Sequence, residues 1–85
     1  MNATLRLLVP DKRGIQKRID TTVREGGAQV AHFRVRREMR GMREVEIVVI
    51  YVNDILLPPI VSQLGKIPGV ALLSLVAVGP PGPPL

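Results

Sequence analysis

Apolar and polar residues alternate from Thr4 to Val9. Leu5, Leu7 and Val9 fall on one side of an extended chain, and Thr4, Arg6 and Leu8 on the other. A period of two marks a strand with one buried face. From Lys12 to Glu25 the period lengthens. Ile15, Ile19, Thr22 and Val23 recur at i, i+4, i+7 and i+8, the stripe of an amphipathic helix, while Lys17, Arg18, Asp20 and Arg24 take the remaining circumference. Gly26-Gly27 supplies the residue that a left-handed C-terminal cap needs. Such a helix is roughly 20 Å long at 1.5 Å per residue, about the length of a six-residue strand. It can therefore return across a sheet in one pass.

The alternation resumes from Ala28 to Glu38, where Ala31, Phe33 and Val35 interleave with Val30, His32, Arg34 and Arg36. Arg40-Gly41-Met42 reads as a hairpin turn. Glu44 to Val52 is the next strand, with Val45, Ile47, Val49 and Tyr51 on one face and Val48, Ile50 and Val52 on the other. Apolar residues on both faces predict a central strand covered on both sides. Asn53-Asp54 caps a second helix. Prolines are tolerated in a first turn and break a helix later, so Pro58 and Pro59 place its regular part from Pro58 to Gly65, with Ile60, Val61 and Leu64 inward. Lys66 to Gly69 turns the chain into a last strand, Val70 to Val78, apolar on both faces apart from Ser74. Residues 79–85, Gly-Pro-Pro-Gly-Pro-Pro-Leu, predict an extended polyproline-type tail.

Strand, helix, strand, strand, helix, strand with right-handed crossovers predicts an α+β ferredoxin-like βαββαβ sandwich. Its four-stranded antiparallel sheet runs in the order 4-1-3-2, with both helices on one face. Residues 1–78 form the domain and 79–85 the tail. The helix-free face then carries Leu8, Val48, Ile50 and Val52. The last strand adds either Val70, Leu72 and Val76 or Leu73 and Leu75. So much apolar surface on a small domain predicts a homo-oligomer, through the open face or through edge strands.

The corner from Val9 to Ile15 joins the first strand to the first helix. Asp11 stands where a helix N-cap belongs, and Gly14 falls inside the first turn, where it costs about 1 kcal/mol relative to Ala. Close approach of a ligand is one reason for such a glycine, and packing against backbone is another. The orphan N–H groups and the helix dipole make the corner a small anion site, so Asp11, Lys12, Arg13, Gly14 and Ile15 are the candidate ligand-binding residues. Asp11-x-x-Gly14-Ile15 after a strand resembles the corresponding corner of ACT domains, regulatory modules of amino-acid metabolism. Gly26-Gly27-Ala28-Gln29-Val30 is similar to their junction into the second strand. Lys66-Ile67-Pro68-Gly69-Val70 is similar to their entry into the last one. The resemblance spans Ala3 to Val78. It implies a non-catalytic regulatory module that binds a small ligand, commonly an amino acid, at a dimer interface and modulates a metabolic enzyme or its own assembly. A zwitterion would set its carboxylate on the N–H groups of Arg13, Gly14 and Ile15 and its ammonium near Asp11. The family often has proline where Arg13 stands and asparagine where Gln29 stands. The added charge favours an anion, and the missing amide removes a group that often holds the ligand.

Composition narrows the alternatives. A chain of 85 residues is one domain, and with Phe33 and Tyr51 as its only aromatics its core must be aliphatic. Cysteine is absent, which excludes disulfides and thiolate metal sites, and no cofactor is expected. The longest apolar run, Ile47 to Val52, is too short to cross a bilayer, and the N-terminus does not read as a signal peptide, so a cytoplasmic location is expected without a membrane partner. Twelve Lys and Arg against seven acids, a net charge of +5, raise the possibility of nucleic acid. RNA-binding domains of RRM type share the topology but stack bases on aromatics of the first and third strands, and Thr4–Val9 and Val45–Ile50 contain none. An acylphosphatase-like enzyme would need a glycine-rich phosphate cradle that Asp11-Lys12-Arg13-Gly14 does not form. His32 has no partner in sequence that would make it a catalyst. A protein-interaction or oligomerisation module without ligand is the remaining alternative.

Overall fold

The computed structural model describes residues 1–78. The tail expected over 79–85 lies outside the described residues. Four strands and two helices follow in the expected order: β1 (Asn2–Pro10), α1 (Ile15–Glu25), β2 (Gln29–Met39), β3 (Met42–Ile50), α2 (Leu57–Gly65) and β4 (Ala71–Val78). A short 3₁₀ turn, Asp54–Leu56, precedes α2, and the Asn53 side chain caps it by accepting from the Ile55 N–H. The sheet is antiparallel in the order β2-β3-β1-β4, which is the predicted order read from the other edge.

Leu5, Leu7 and Val9 of β1 pair with Ile47, Val45 and Arg43 of β3, and so share the helix-side face. That face meets Ile19 and Val23 of α1 and Leu57, Ile60 and Leu64 of α2, and together they form the buried core. The α1 stripe and the inward residues of β3 are the ones the periodicity picks out. The end of α1 is a Schellman cap: the Ala28 N–H reaches the Val23 carbonyl at 3.2 Å and the Gly27 N–H reaches that of Arg24 at 3.0 Å. Gly27 takes the left-handed conformation this motif needs, at φ 89°.

Three expectations change. First, simple alternation in β2 is interrupted. The register slips between Val30 and His32 and again between Val35 and Arg37, so Val30, Phe33 and Val35 all join the helix-side face opposite Val49, Ile47 and Val45. Second, β4 follows neither predicted parity. A bulge at Leu73 puts Leu72 opposite Leu7 and Leu75 opposite Leu5 on the helix side, and Ser74 and Val76 opposite Arg6 and Thr4 on the open side. Third, the open face is not one apolar patch. Arg6 donates to Glu44 at 2.6 Å, and Arg36 contacts Glu46 at 3.1 Å and Glu44 at 3.7 Å. This ion-pair lattice separates Leu8 from the exposed Ile50, Val52 and Val76. Fitting that lattice, Glu44 is almost enclosed on a face with no helix over it.

Candidate functional site

The corner between β1 and α1 is built differently from a side-chain-capped helix start. α1 begins at Ile15, three residues later than the periodicity suggests, and Gly14 is its N-cap, at φ 84° with no side-chain cap. Asp11 is therefore not the N-cap. Its N–H donates to the Gly41 carbonyl at 2.9 Å and its carboxylate meets Arg43 at 3.0 Å, so it ties the corner to the β2–β3 hairpin. Gly14 is explained by backbone geometry rather than by close approach: a Cβ there would meet nothing within 4 Å, but the positive φ is one that a side chain resists.

Beside this corner lies an open cleft of about 800 Å³. Its walls are the β1–α1 turn, the first turns of α1 as far as Asp20, the bulged stretch of β2 from Val30 to Phe33, and Arg43. Four of the five predicted residues, Lys12, Arg13, Gly14 and Ile15, line it; Asp11 does not. Lys17, Asp20, His32 and Arg43 are lining residues that sequence reasoning missed. Lys17 was legible as a first-turn cation, whereas Arg43 and His32 arrive only through strand pairing. A smaller pocket on the other side of the turn is shared by Lys12 to Ile15 with Arg18, Ile67 and Pro68.

The cleft is cationic. Lys12, Arg13, Lys17 and Arg43 face Asp20 alone among carboxylates, and Asp20 is held by Arg24 at 3.2 Å. The free donors also differ from expectation. The Ile15 N–H is already bonded to the Lys12 carbonyl at 3.2 Å, and the first bond from the helix back to the turn is from Arg18 to Gly14. The N–H groups of Gln16 and Lys17 have no protein acceptor among the described residues. They sit at the positive end of the helix dipole, which attracts anions.

Comparison with solved structures gives the fold its context. The chain superposes on the ACT domain from the GTP pyrophosphokinase of Chlorobium tepidum with a TM-score of 0.66 at 17% identity, covering 89% of this chain and 95% of that one. The chain has the ACT-domain fold. This ACT fold also matches a putative glycine cleavage system transcriptional repressor, with a TM-score of 0.71 at 10% identity over 99% of this chain and 49% of the other. The C-terminal domain of the MgtC protein from Mycobacterium tuberculosis matches at 0.65 and 13% identity, over 88% and 82% of the two chains. No family model matches the sequence, and no curated protein does. One ACT-type backbone therefore stands in proteins with quite different names, so function has to be argued from the cleft.

The open face bears on the RNA alternative. Tyr51 is buried in the core and Phe33 lies opposite Ile47 on the helix side, so neither aromatic offers a ring to a base on the open face. No helix among the described residues is long and apolar enough to cross a membrane.

Proposed function

We propose that this chain is a non-catalytic regulatory module that takes a small carboxylate-bearing ligand, in the first instance an amino acid, in the cleft beside the β1–α1 corner. The observation that carries the reading is the coincidence of two unpaired first-turn N–H groups with Lys12, Arg13 and Lys17 around one cavity. A carboxylate there accepts from Gln16 and Lys17. The ammonium of a zwitterion turns to Asp20, the carboxylate that lines the cleft, rather than to Asp11, which does not line it. A partner copy or an enzyme that docks beside the cleft approaches along β2, the edge strand that forms one of its walls. Arg34, Arg36, Arg37 and Arg40 on β2 and its turn oppose such an approach, and an anionic ligand would weaken that repulsion. Ligand binding is thereby coupled to assembly, or to docking of an enzyme on the same edge.

A thermal-shift screen of the proteinogenic amino acids tests this. At a free concentration 100 times Kd a native-state ligand adds about 2.7 kcal/mol of stability. The shift should vanish in Lys12→Glu/Lys17→Glu, whose unliganded melting temperature should hardly change because both side chains are exposed. Absence of any shift at millimolar concentrations would leave the ligand-free interaction module as the better reading.

A further inference from the structure

The turn between β1 and α1 sets Lys12 and Arg13 next to each other, and Lys17 follows in the first turn of the helix. All three are exposed, and all three line the cleft. None has an ion-pair partner among the described residues, unlike several arginines near them. Arg6 holds Glu44, Arg36 holds Glu44 and Glu46, Arg24 holds Asp20, and Arg43 holds Asp11 and Glu38. Those pairs occupy all the acids of the chain except Glu25 and Asp54. Glu25 ends α1, and Asp54 begins the 3₁₀ turn before α2. The fold therefore supplies no carboxylate of its own to the three cations.

A cleft lined by one sign of charge concentrates its field on whatever enters. An amino acid with an uncharged side chain is neutral overall. It offers one carboxylate to three cations, and its ammonium adds another positive charge. A second carboxylate corrects that balance. The geometry of the walls then orders the groups. Lys17 and Asp20 are three residues apart on α1, hence neighbours on its surface and about 4.5 Å apart along its axis. Lys12 and Arg13 lie beyond Lys17, on the side of the turn. The wall contributed by the bulged stretch of β2 includes the apolar Ala31 and Phe33. An apolar wall facing a few placed charges suits a short carbon chain that carries charge at both ends.

Building on the reading of this cleft as an amino-acid site, we infer that it selects acidic amino acids, with Lys12 and Arg13 as the residues that determine the selection. The α-carboxylate takes Lys17 and the first-turn N–H groups. The α-ammonium takes Asp20, further along the helix. The side-chain carboxylate takes Lys12 and Arg13, and the methylenes between the two carboxylates rest on Ala31 and Phe33. An amide in place of the side-chain carboxylate leaves Lys12 and Arg13 without an anion. A dicarboxylate without the ammonium leaves Asp20 without a cation from the ligand.

Calorimetric titration of the full chain at low ionic strength tests this with two sets of near-identical shape. One set is L-glutamate, L-glutamine and glutarate; the other is L-aspartate, L-asparagine and succinate. In at least one set the acidic amino acid should bind at least tenfold more tightly than its amide and than the plain dicarboxylate, a difference of about 1.4 kcal/mol. Lys12→Gln/Arg13→Gln should bring the acid-to-amide ratio to about one. Asp20→Asn should bring the ratio of amino acid to plain dicarboxylate to about one. Equal binding of acid and amide in both sets overturns the inference and leaves the cleft standing as an amino-acid site. A double variant that keeps the acid-to-amide preference overturns the assignment to Lys12 and Arg13, and plain dicarboxylates that match the amino acids overturn the part given to Asp20. Binding of none of the six compounds also overturns the inference. The reading of the cleft as a ligand site falls with it only if the wider amino-acid screen is blank as well, so the two failures are distinguishable.

Discussion

At Gly14 one dihedral angle decides what the residue is for. A Cβ there has open space around it, but φ is 84°, a value that costs a side chain about 1–2 kcal/mol. Gly14→Ala should lower stability by about that amount and Gly14→Asn by less, since asparagine tolerates the left-handed region better. Chemical denaturation of the two variants checks this, and equal losses would point to packing instead. Glu44 is a second single-residue case. Its hydrogen bond from Arg6, the largest influence, holds its carboxyl below the ordinary glutamate range, against the opposing effect of desolvation. A carboxyl depressed in the folded state contributes stability that is fully present above its unfolded pKa of about 4.3 and is lost as the pH falls through the lower folded value. Glu44→Gln should therefore flatten the loss of stability below about pH 4.3 and cost stability at neutral pH, as urea titrations at pH 3 and pH 7 would read.

The element that constrains its neighbours most tightly is the end of α1. Gly27 closes the Schellman cap, while Gly26 has an ordinary φ of −81° and a different task. A Cβ on Gly26 would run into the side chain of Ile60, which is buried in α2. The last turn of α1 thus sets how closely α2 approaches. Gly26→Ala should lower stability by about 1–3 kcal/mol through overpacking, and should cost less on an Ile60→Ala background, which lacks the Cγ1 that the new Cβ meets. A double-mutant cycle showing no coupling would mean that the helices do not meet there. β2 shows the same principle in a strand, because its two slips bring Val30, Phe33 and Val35 onto one face while exposing Ala31 and His32 beside the cleft.

For the whole molecule the governing quantity is the +5 charge and its uneven placement. Any self-association of two such cationic copies should strengthen as salt screens their repulsion. Binding of an anion to Lys12, Arg13 and Lys17 should weaken under the same change, because the Debye length shrinks from about 30 Å at 0.01 M to about 10 Å at 0.1 M ionic strength. The dimer dissociation constant and the ligand dissociation constant should consequently move in opposite directions across that range. Parallel movement would mean that charge repulsion does not govern assembly.

The sequence by itself determined the six elements, their order, the stripe of α1 and the inward residues of β3. Each of these follows from a local period, and a period survives without knowledge of neighbours. It also singled out the corner from Asp11 to Ile15, from an expected helix cap, one glycine and the resemblance of Asp11-x-x-Gly14 to an ACT corner. Tertiary structure alone decided the rest. Bulges moved the β2 and β4 side chains between faces, because a one-residue slip in pairing is invisible to alternation read along a single strand. Strand pairing brought Arg43 and His32 to the cleft from more than fifteen residues away, and gave Asp11 a partner in Arg43 instead of a place in the helix cap. Likewise the apolar residues of the open face were legible one by one, but only the register of β1 against β3 set Arg6 beside Glu44 among them. Contacts between distant residues are set by closure of the chain, which no local pattern encodes.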